Sequence, residues 1–375
     1  MSPKSIPNPY RRRIDHLLEV LSRSGFSGIL ISQPENRRYL SGFRPADPQI
    51  NESSGFLILG SDVAILGTDA RYEEEARTQA KGFYSFIYRK GLEGSWGEIA
   101  PFLKNISKVA FESQAISYQT YQRFKNLFQD GRKSHSFKPC TPLVENLRMQ
   151  KDRQELKAMQ RSLEITERVL QEIFKSLRPG MSEKNLAWKI KDYIFKFGGE
   201  GPAFEPIVAS GPNAALPHAE PSERLILKGE PILFDFGSKW QGYCSDISRT
   251  FLLGRPSDRF KEVYALVRKA QLSAEKGIGA GMDSVAADRL ARSVIEKGGY
   301  GQAFKHSLGH GLGLAVHEMP SLSPMKPMVL KPGMVVTIEP GIYLPGWGGV
   351  RLENMVVIKE KGGRLLNQDQ TFYHF

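Results

Sequence analysis

Apolar positions Ile14, Leu17, Leu18 and Leu21 recur every three or four residues, which predicts a helix over 10–24. Gly25 and Gly28 then release the chain into the apolar run Ile29-Leu30-Ile31, a strand. Alternating apolar positions predict further strands over 55–59, 63–66 and 83–88, and helical spacing predicts helices over 71–80, 96–105 and 118–128. Strands interleaved with helices make this part an α/β domain, and it displays no visible active site. The stretch 130–142, rich in Gly, Lys, Ser and Pro, reads as a linker. A long helical pattern over 151–177 opens a second domain, so the expected domains are 1–145 and 146–375. Arg178-Pro179-Gly180 ends that helix and Ser182 is placed to cap the next, over 183–197. About 100 residues later Gly281-Met282-Asp283-Ser284 heads a helix over 285–297, as Gly180-Met181-Ser182-Glu183 headed the earlier one. The recurrence points to an internal duplication.

The most informative stretch runs from Ile232 to Thr250. Two apolar segments, 232–236 and 243–251, flank a polar turn holding Gly237, Ser238, Lys239 and Gly242, which predicts a β-hairpin. Each strand carries one aspartate, Asp235 and Asp246. Burying a carboxylate in a strand costs several kcal/mol unless a cation or donors compensate. Two readings stay open on the hairpin alone: a bound divalent metal, or carboxylates that hydrogen-bond backbone amides beside the turn.

Composition narrows the class of protein. The chain of 375 residues, 40% hydrophobic and 25% charged, is long enough for two cores and ordinary for a globular protein. The formal charge of +12 divides evenly, with 21 basic against 15 acidic residues in 1–150 supplying half of it. An even spread argues against a dedicated nucleic-acid face, and Arg11-Arg12-Arg13 reads as the solvated side of the first helix. No apolar stretch of 18 residues offers a membrane span, and the first residues lack the apolar core of a signal peptide, so a cytoplasmic location is expected. Cys140 and Cys244 are the only cysteines, and no disulfide framework is expected.

Downstream motifs bear on the aspartates. Phe304 to Pro320 contains His306, Gly309-His310-Gly311-Leu312-Gly313 and His317-Glu318; further on stand Glu339-Pro340-Gly341 and Gly349-Val350-Arg351-Leu352-Glu353-Asn354. Together with the hairpin they offer two Asp, one His and two Glu. An oxygen-rich set with one imidazole suits two hard or borderline ions such as Mn²⁺, Co²⁺ or Zn²⁺, roughly 3.5 to 4 Å apart.

In this order the hairpin, the His-Gly-Leu-Gly segment, Ile-Glu-Pro-Gly and Gly-Val-Arg-Leu-Glu resemble the five-ligand pattern of the pita-bread metallopeptidases, in the branch of Xaa-Pro aminopeptidase and prolidase. The resemblance is close over residues 200–358 and loose over the first 145. It implies an amino-terminal creatinase/prolidase-like α/β domain followed by a pseudo-twofold pita-bread catalytic domain. It also implies two divalent ions, Mn²⁺ first, with Co²⁺ or Zn²⁺ as alternatives. Asp235 would chelate one metal, Asp246 and Glu353 would bridge both, and His310 with Glu339 would complete the second. A water between the ions would act as hydroxide, and Glu339 would carry its proton to the departing prolyl nitrogen. His218 and His317 match positions that contact substrate and stabilise the tetrahedral intermediate. His306 matches a position near the substrate. Arg351 would meet the substrate or pair with a ligand carboxylate, two roles left open. Thr68-Asp69-Ala70-Arg71-Tyr72 is similar to a strand-to-helix corner of the family's first domain, and a plain helix cap by Asp69 is preferred for it. Two departures stand out: Ser248 where threonine is usual and Asn354 where aspartate is commoner, both bearing on the tuning of the metals.

The resemblance therefore implies a homodimeric peptidase that removes the first residue from peptides with proline second, with peptides of three or more residues preferred. A prolidase restricted to Xaa-Pro dipeptides is the alternative. A non-catalytic binding protein on the same fold is disfavoured because all five ligand positions are present.

Overall fold

The computed structural model describes residues 6–129, 136–140 and 142–375. The chain forms two compact units, Met1–Arg148 and Met149–Phe375.

In the first unit a mixed six-stranded sheet runs in the order Tyr84–Ile87, Val63–Thr68, Phe56–Gly60, Gly28–Ile31, Lys108–Glu112, Ser136–Cys140. Gly28–Ile31 pairs antiparallel with Phe56–Gly60 and parallel with Lys108–Glu112. The predicted first helix is Tyr10–Arg23, burying Ile14, Leu17 and Leu21 on one stripe. At the corner, Asp69 Oδ1 accepts from Arg71 N at 2.9 Å, the preferred cap, while Arg71 stays exposed. Two expectations need correction here. The helix placed over 96–105 is a pair of 3₁₀ turns, Trp96–Glu98 and Ala100–Leu103, because Pro101 supplies no amide hydrogen and Gly97 favours no helix. The linker placed over 130–142 contains the edge strand Ser136–Cys140, whose apolar anchor Phe137 packs in the core; residues 130–135 and 141 lie outside the described residues.

The second unit is built twice. Helix Arg153–Ser176 opens with a capping box in which Asp152 accepts from Glu155 N and Glu155 reaches back to Asp152 N. Its buried residues Met159, Leu163, Val169, Leu170 and Ile173 form one stripe, each fully buried side chain worth about 2 kcal/mol. This helix packs on Glu183–Lys196, capped by Ser182, and in the second half Asp258–Gly277 packs on Ser284–Lys297, capped by Asp283. Helix Asp258–Gly277 lies outside the predicted elements, although Ser257, which caps Phe260 N, and the spacing of Phe260, Val263 and Val267 signal it.

The duplication extends to single hydrogen bonds. Gly180 N donates to Ile226 O at 2.9 Å, and Gly281 N donates to Leu330 O at 2.9 Å. Ile226 N returns to Met181 O, and Leu330 N returns to Met282 O, both at 2.8 Å. In front of the helices lie a three-stranded sheet, Ile207–Ser210, Pro231–Phe236 and Ile247–Leu252, and a five-stranded sheet that includes Gly309–Gly311, Val335–Ile338 and Asn354–Ile358. The mixed architecture and pseudo-twofold second half agree with the expected fold.

Candidate metal centre

The hairpin pairs Pro231–Phe236 with Ile247–Leu252, placing Asp235 beside Ser248. The expected second strand is broken: Tyr243–Cys244 pairs with Ser238–Trp240 in a separate small sheet, and Asp246 falls at the break. Gly237 explains it, since a Cβ there would stand 1.7 Å from the Ser245 carbonyl oxygen. The tip closes on Gln241 and Gly242, both at positive φ (48° and 76°), as a tight two-residue turn requires. Buried hydroxyls fasten the break to the long helix: Ser162 Oγ donates to Ser238 O at 2.7 Å, and Ser238 N donates to Thr166 Oγ1 at 3.0 Å.

Four further elements bring the remaining candidates to the hairpin. His310 sits in strand Gly309–Gly311, Glu339 follows strand Val335–Ile338, and Glu353 joins Gly348–Arg351 to Asn354–Ile358. Glu353 N donates to Ser248 O at 3.0 Å, and Glu339 N to Leu308 O at 2.8 Å, fixing both backbones. Asp246, His310 and Glu353 each offer a ligand atom within 4.8 Å of the others. His310 Nε2 stands 3.4 Å from Glu339 Oε1 and 3.7 Å from Asp246 Oδ2.

The electrostatics of this group call for a cation. The Asp246 carboxyl is held well above the usual carboxylate range, by burial and then by the charges of Glu353, Asp235 and Glu339. Glu353 is raised in the same way, and burial pushes Glu339 up to about 8. Asp235 Oδ1, Asp246 Oδ1 and Glu353 Oε1 are buried without a hydrogen-bond partner. Burial lowers the His310 pKa, keeping the ring neutral, and Nδ1 lies 3.0 Å from the Gly311 carbonyl oxygen, which needs a donor. Nε2 therefore turns a lone pair toward the carboxylates, the tautomer that ligates metal. Lone pairs facing lone pairs in a buried site fit divalent cations.

Arg351 pairs with Asp235 through Nη2, the ion-pair role among the two left open for it. Its Nε donates to Ser248 Oγ at 2.9 Å and its Nη1 to the Tyr343 hydroxyl at 2.8 Å. His306 does not stand free beside the site. Its Nδ1 lies 2.8 Å from Ser307 O and its Nε2 2.9 Å from the Tyr343 hydroxyl; burial, then the Arg351 charge, takes its pKa down to about 4. His317 is exposed, its ring centroid 4.4 Å from that of His310. His218 is exposed in the turn after the 3₁₀ helix Gly211–Ala215, and the neighbouring Pro217 carbonyl accepts from Arg351 Nη1 at 3.2 Å.

Three further residues hold the site, of which Ser248 is visible in the sequence only as a departure from the family pattern, and Thr337 and Tyr343 escape sequence reading. Ser248 Oγ donates to Glu353 Oε2 at 2.7 Å while accepting from Arg351. Thr337 Oγ1 accepts from His310 N at 3.0 Å and donates to Glu339 Oε1 at 3.1 Å. Tyr343 joins Arg351 to His306. Thr337 and Tyr343 stand two residues before and four after Glu339, close to the motif but without a chemical signature. Asn354 faces away from the ligands: its Oδ1 accepts from Arg249 at 3.0 Å and its Nδ2 donates to Glu275 at 2.5 Å.

Residues 157–360 match the Metallopeptidase family M24, and residues 13–150 match the Creatinase/Prolidase N-terminal domain. The chain belongs to metallopeptidase family M24. The family, with the Xaa-Pro dipeptidases and aminopeptidases among the relatives, makes it a metallo-exopeptidase, and the family implies divalent metal ions. It is 37% identical to the uncharacterized peptidase YqhT of Bacillus subtilis strain 168 over 354 residues, covering 94% of this chain and 97% of that one. Among solved structures, an Xaa-Pro dipeptidase from Bacillus anthracis superposes with a TM-score of 0.88 at 36% identity, covering 96% of this chain and 98% of that one. An X-Pro aminopeptidase from Thermotoga maritima MSB8 superposes with a TM-score of 0.85 at 34% identity, covering 96% and 99%. This M24 chain thus resembles peptidases of both names over nearly its whole length.

Proposed function

We propose that the protein hydrolyses the Xaa-Pro bond at the amino terminus of short peptides, using two divalent ions held by Asp235, Asp246, His310, Glu339 and Glu353. The observation that carries the reading is the buried, mutually repelling carboxylate group with partnerless oxygens on Asp235, Asp246 and Glu353, next to a neutral imidazole. Bound ions would polarise the scissile carbonyl and lower the pKa of an attacking water.

The chain's own residues do the rest. Glu339, steadied by Thr337, takes the proton of the attacking water and delivers it to the prolyl nitrogen. His317 or His218 donates to the developing oxyanion from the open side of the site. Arg351 orients Asp235 and, through Tyr343, the buried ring of His306. Mn²⁺ is the first choice of metal, and a cytoplasmic homodimer is the expected form. Among the described residues no helix is long and apolar enough to cross a membrane.

The leading substrate is a peptide of three or more residues. The dipeptide is carried as a second reading, because dipeptidases are at least as prominent as aminopeptidases among the similar proteins. The test is release of the first residue from Xaa-Pro-Xaa and from Xaa-Pro by chelated enzyme and by enzyme reloaded with Mn²⁺ or Co²⁺. Metal-dependent cleavage of the tripeptide establishes the aminopeptidase; cleavage of the dipeptide alone makes the protein a prolidase. Cleavage of neither, with two metals bound, defeats both.

A further inference from the structure

Lys151 and Glu318 form an ion pair inside the second unit, Nζ to Oε2 at 3.1 Å, with side chains only 1% and 7% exposed. Such a pair is a poor source of net stability, since desolvation offsets the Coulomb gain and an apolar pair can replace it. Its connections suggest another use. The other oxygen, Glu318 Oε1, accepts from Ala315 N at 3.0 Å, and Gly313 N donates to Ala315 O at 3.0 Å, so the carboxylate closes the loop 313–317 from inside. The fit is close: a Cβ on Gly313 would stand 2.8 Å from Glu318 Oε2. Lys151 is itself fixed, its N donating to Gly333 O at 2.8 Å. At the loop's start Gly313 O accepts from Cys244 N at 2.7 Å, two residues before Asp246. At its end stands His317, exposed, with its ring across that of His310. The loop therefore has a buried, charged root and an open catalytic tip.

We infer that Lys151 and Glu318 are positioning residues that aim His317 at the reacting carbonyl, a role that rests on the function proposed above. Neither touches the substrate; they act by holding the loop that carries the histidine. Removing both charges together avoids stranding one of them in the interior, so Lys151→Met/Glu318→Met separates aim from folding.

The test is a cycle in which kcat and KM for Xaa-Pro-Xaa and Xaa-Pro are measured for the wild-type enzyme, His317→Ala, the double Met variant and the triple variant. Bound metal and hydrogen exchange over 313–317 are followed in parallel. The expected result is a kcat/KM loss on the order of 10²-fold in the double variant, mainly in kcat. Two bound metals should remain, exchange should be faster in the loop alone, and the triple variant should be no worse than His317→Ala. Losses that multiply in the triple variant, or an unaltered loop and unaltered kcat in the double, overturn the inference. Should the Met pair fail to fold, Lys151→Gln/Glu318→Gln, which can keep one hydrogen bond, takes its place with a smaller loss in the same direction. If the wild-type enzyme with metal cleaves neither peptide, the functional reading has failed, and the exchange data still decide whether the pair holds the loop.

Discussion

Ser248 serves a ligand and an arginine with one hydroxyl: it donates to Glu353 Oε2 and accepts from Arg351 Nε. Replacing it by alanine leaves both without that partner in a buried site. We expect Ser248→Ala to weaken metal binding by about 10-fold or more, with a parallel fall in kcat/KM, checked by metal titration and kinetics. A serine meets this requirement as a threonine would, so that departure from the family pattern leaves the hydroxyl in place. Asn354 behaves differently, because its side chain touches Arg249 and Glu275 and no ligand. Asn354→Asp should keep both metals while setting a second carboxylate against Glu275, whose pKa burial already raises. The pair would then hold a proton in the folded state that the unfolded chain releases. Its stabilising contribution is present at low pH and lost as pH rises, so the Tm of Asn354→Asp should fall more steeply from pH 5 to pH 8 than that of the parent. Equal slopes would refute this placement of Asn354.

At the scale of elements, the break in the hairpin decides where Asp246 stands. The residues around it read as one continuous strand, and only the approach of the Ser245 carbonyl to Gly237 separates the outer ribbon from the inner pair. Gly237→Ala should cost about 3 kcal/mol and release metal, seen as a lowered Tm and substoichiometric metal in the purified protein. An alanine variant of ordinary stability with two metals bound would mean that the strands can part at no cost. Elements with strong local signals were legible: helix Arg153–Ser176 carries its capping box and apolar stripe, and Ser182 and Asp283 cap as their motifs imply. Elements stabilised mainly by their neighbours were not. Strand Ser136–Cys140 holds a serine, a lysine and a proline among its five residues, and is a strand because Lys108–Glu112 offers it an edge.

For the whole molecule, metal and proton compete for one buried set of carboxylates. In the metal-free protein Asp246 and Glu353 lie well above the carboxylate range and Glu339 at about 8, burial being the first cause for each. Folded pKa values above the unfolded value of about 4 mean that this contribution to stability is complete below that pH. It is lost as pH rises toward 8. The Tm of chelated protein should therefore drop by at least about 4 °C between pH 5 and pH 8, and Mn²⁺ should restore it most at the higher pH. A flat profile for the chelated protein would contradict the charge arrangement described here.

The amino-acid sequence by itself determined the fold class and the duplicated helix starts, and named the acidic and imidazole residues Asp246, His310, Glu339 and Glu353 that the fold gathers. Those features are written in short windows: a cap and its partner three residues on, an apolar stripe, or a motif of five residues. Tertiary structure alone decided which tautomer His310 adopts, that Arg351 pairs with Asp235, that Tyr343 engages both Arg351 and His306, and that Asn354 turns away. Most of these contacts join segments far apart in the chain, 116 residues apart for Arg351 and Asp235 and 105 for Asn354 and Arg249. Their strength comes from burial that no local window encodes, since a carboxylate in water needs no partner and the same carboxylate among packed strands requires one.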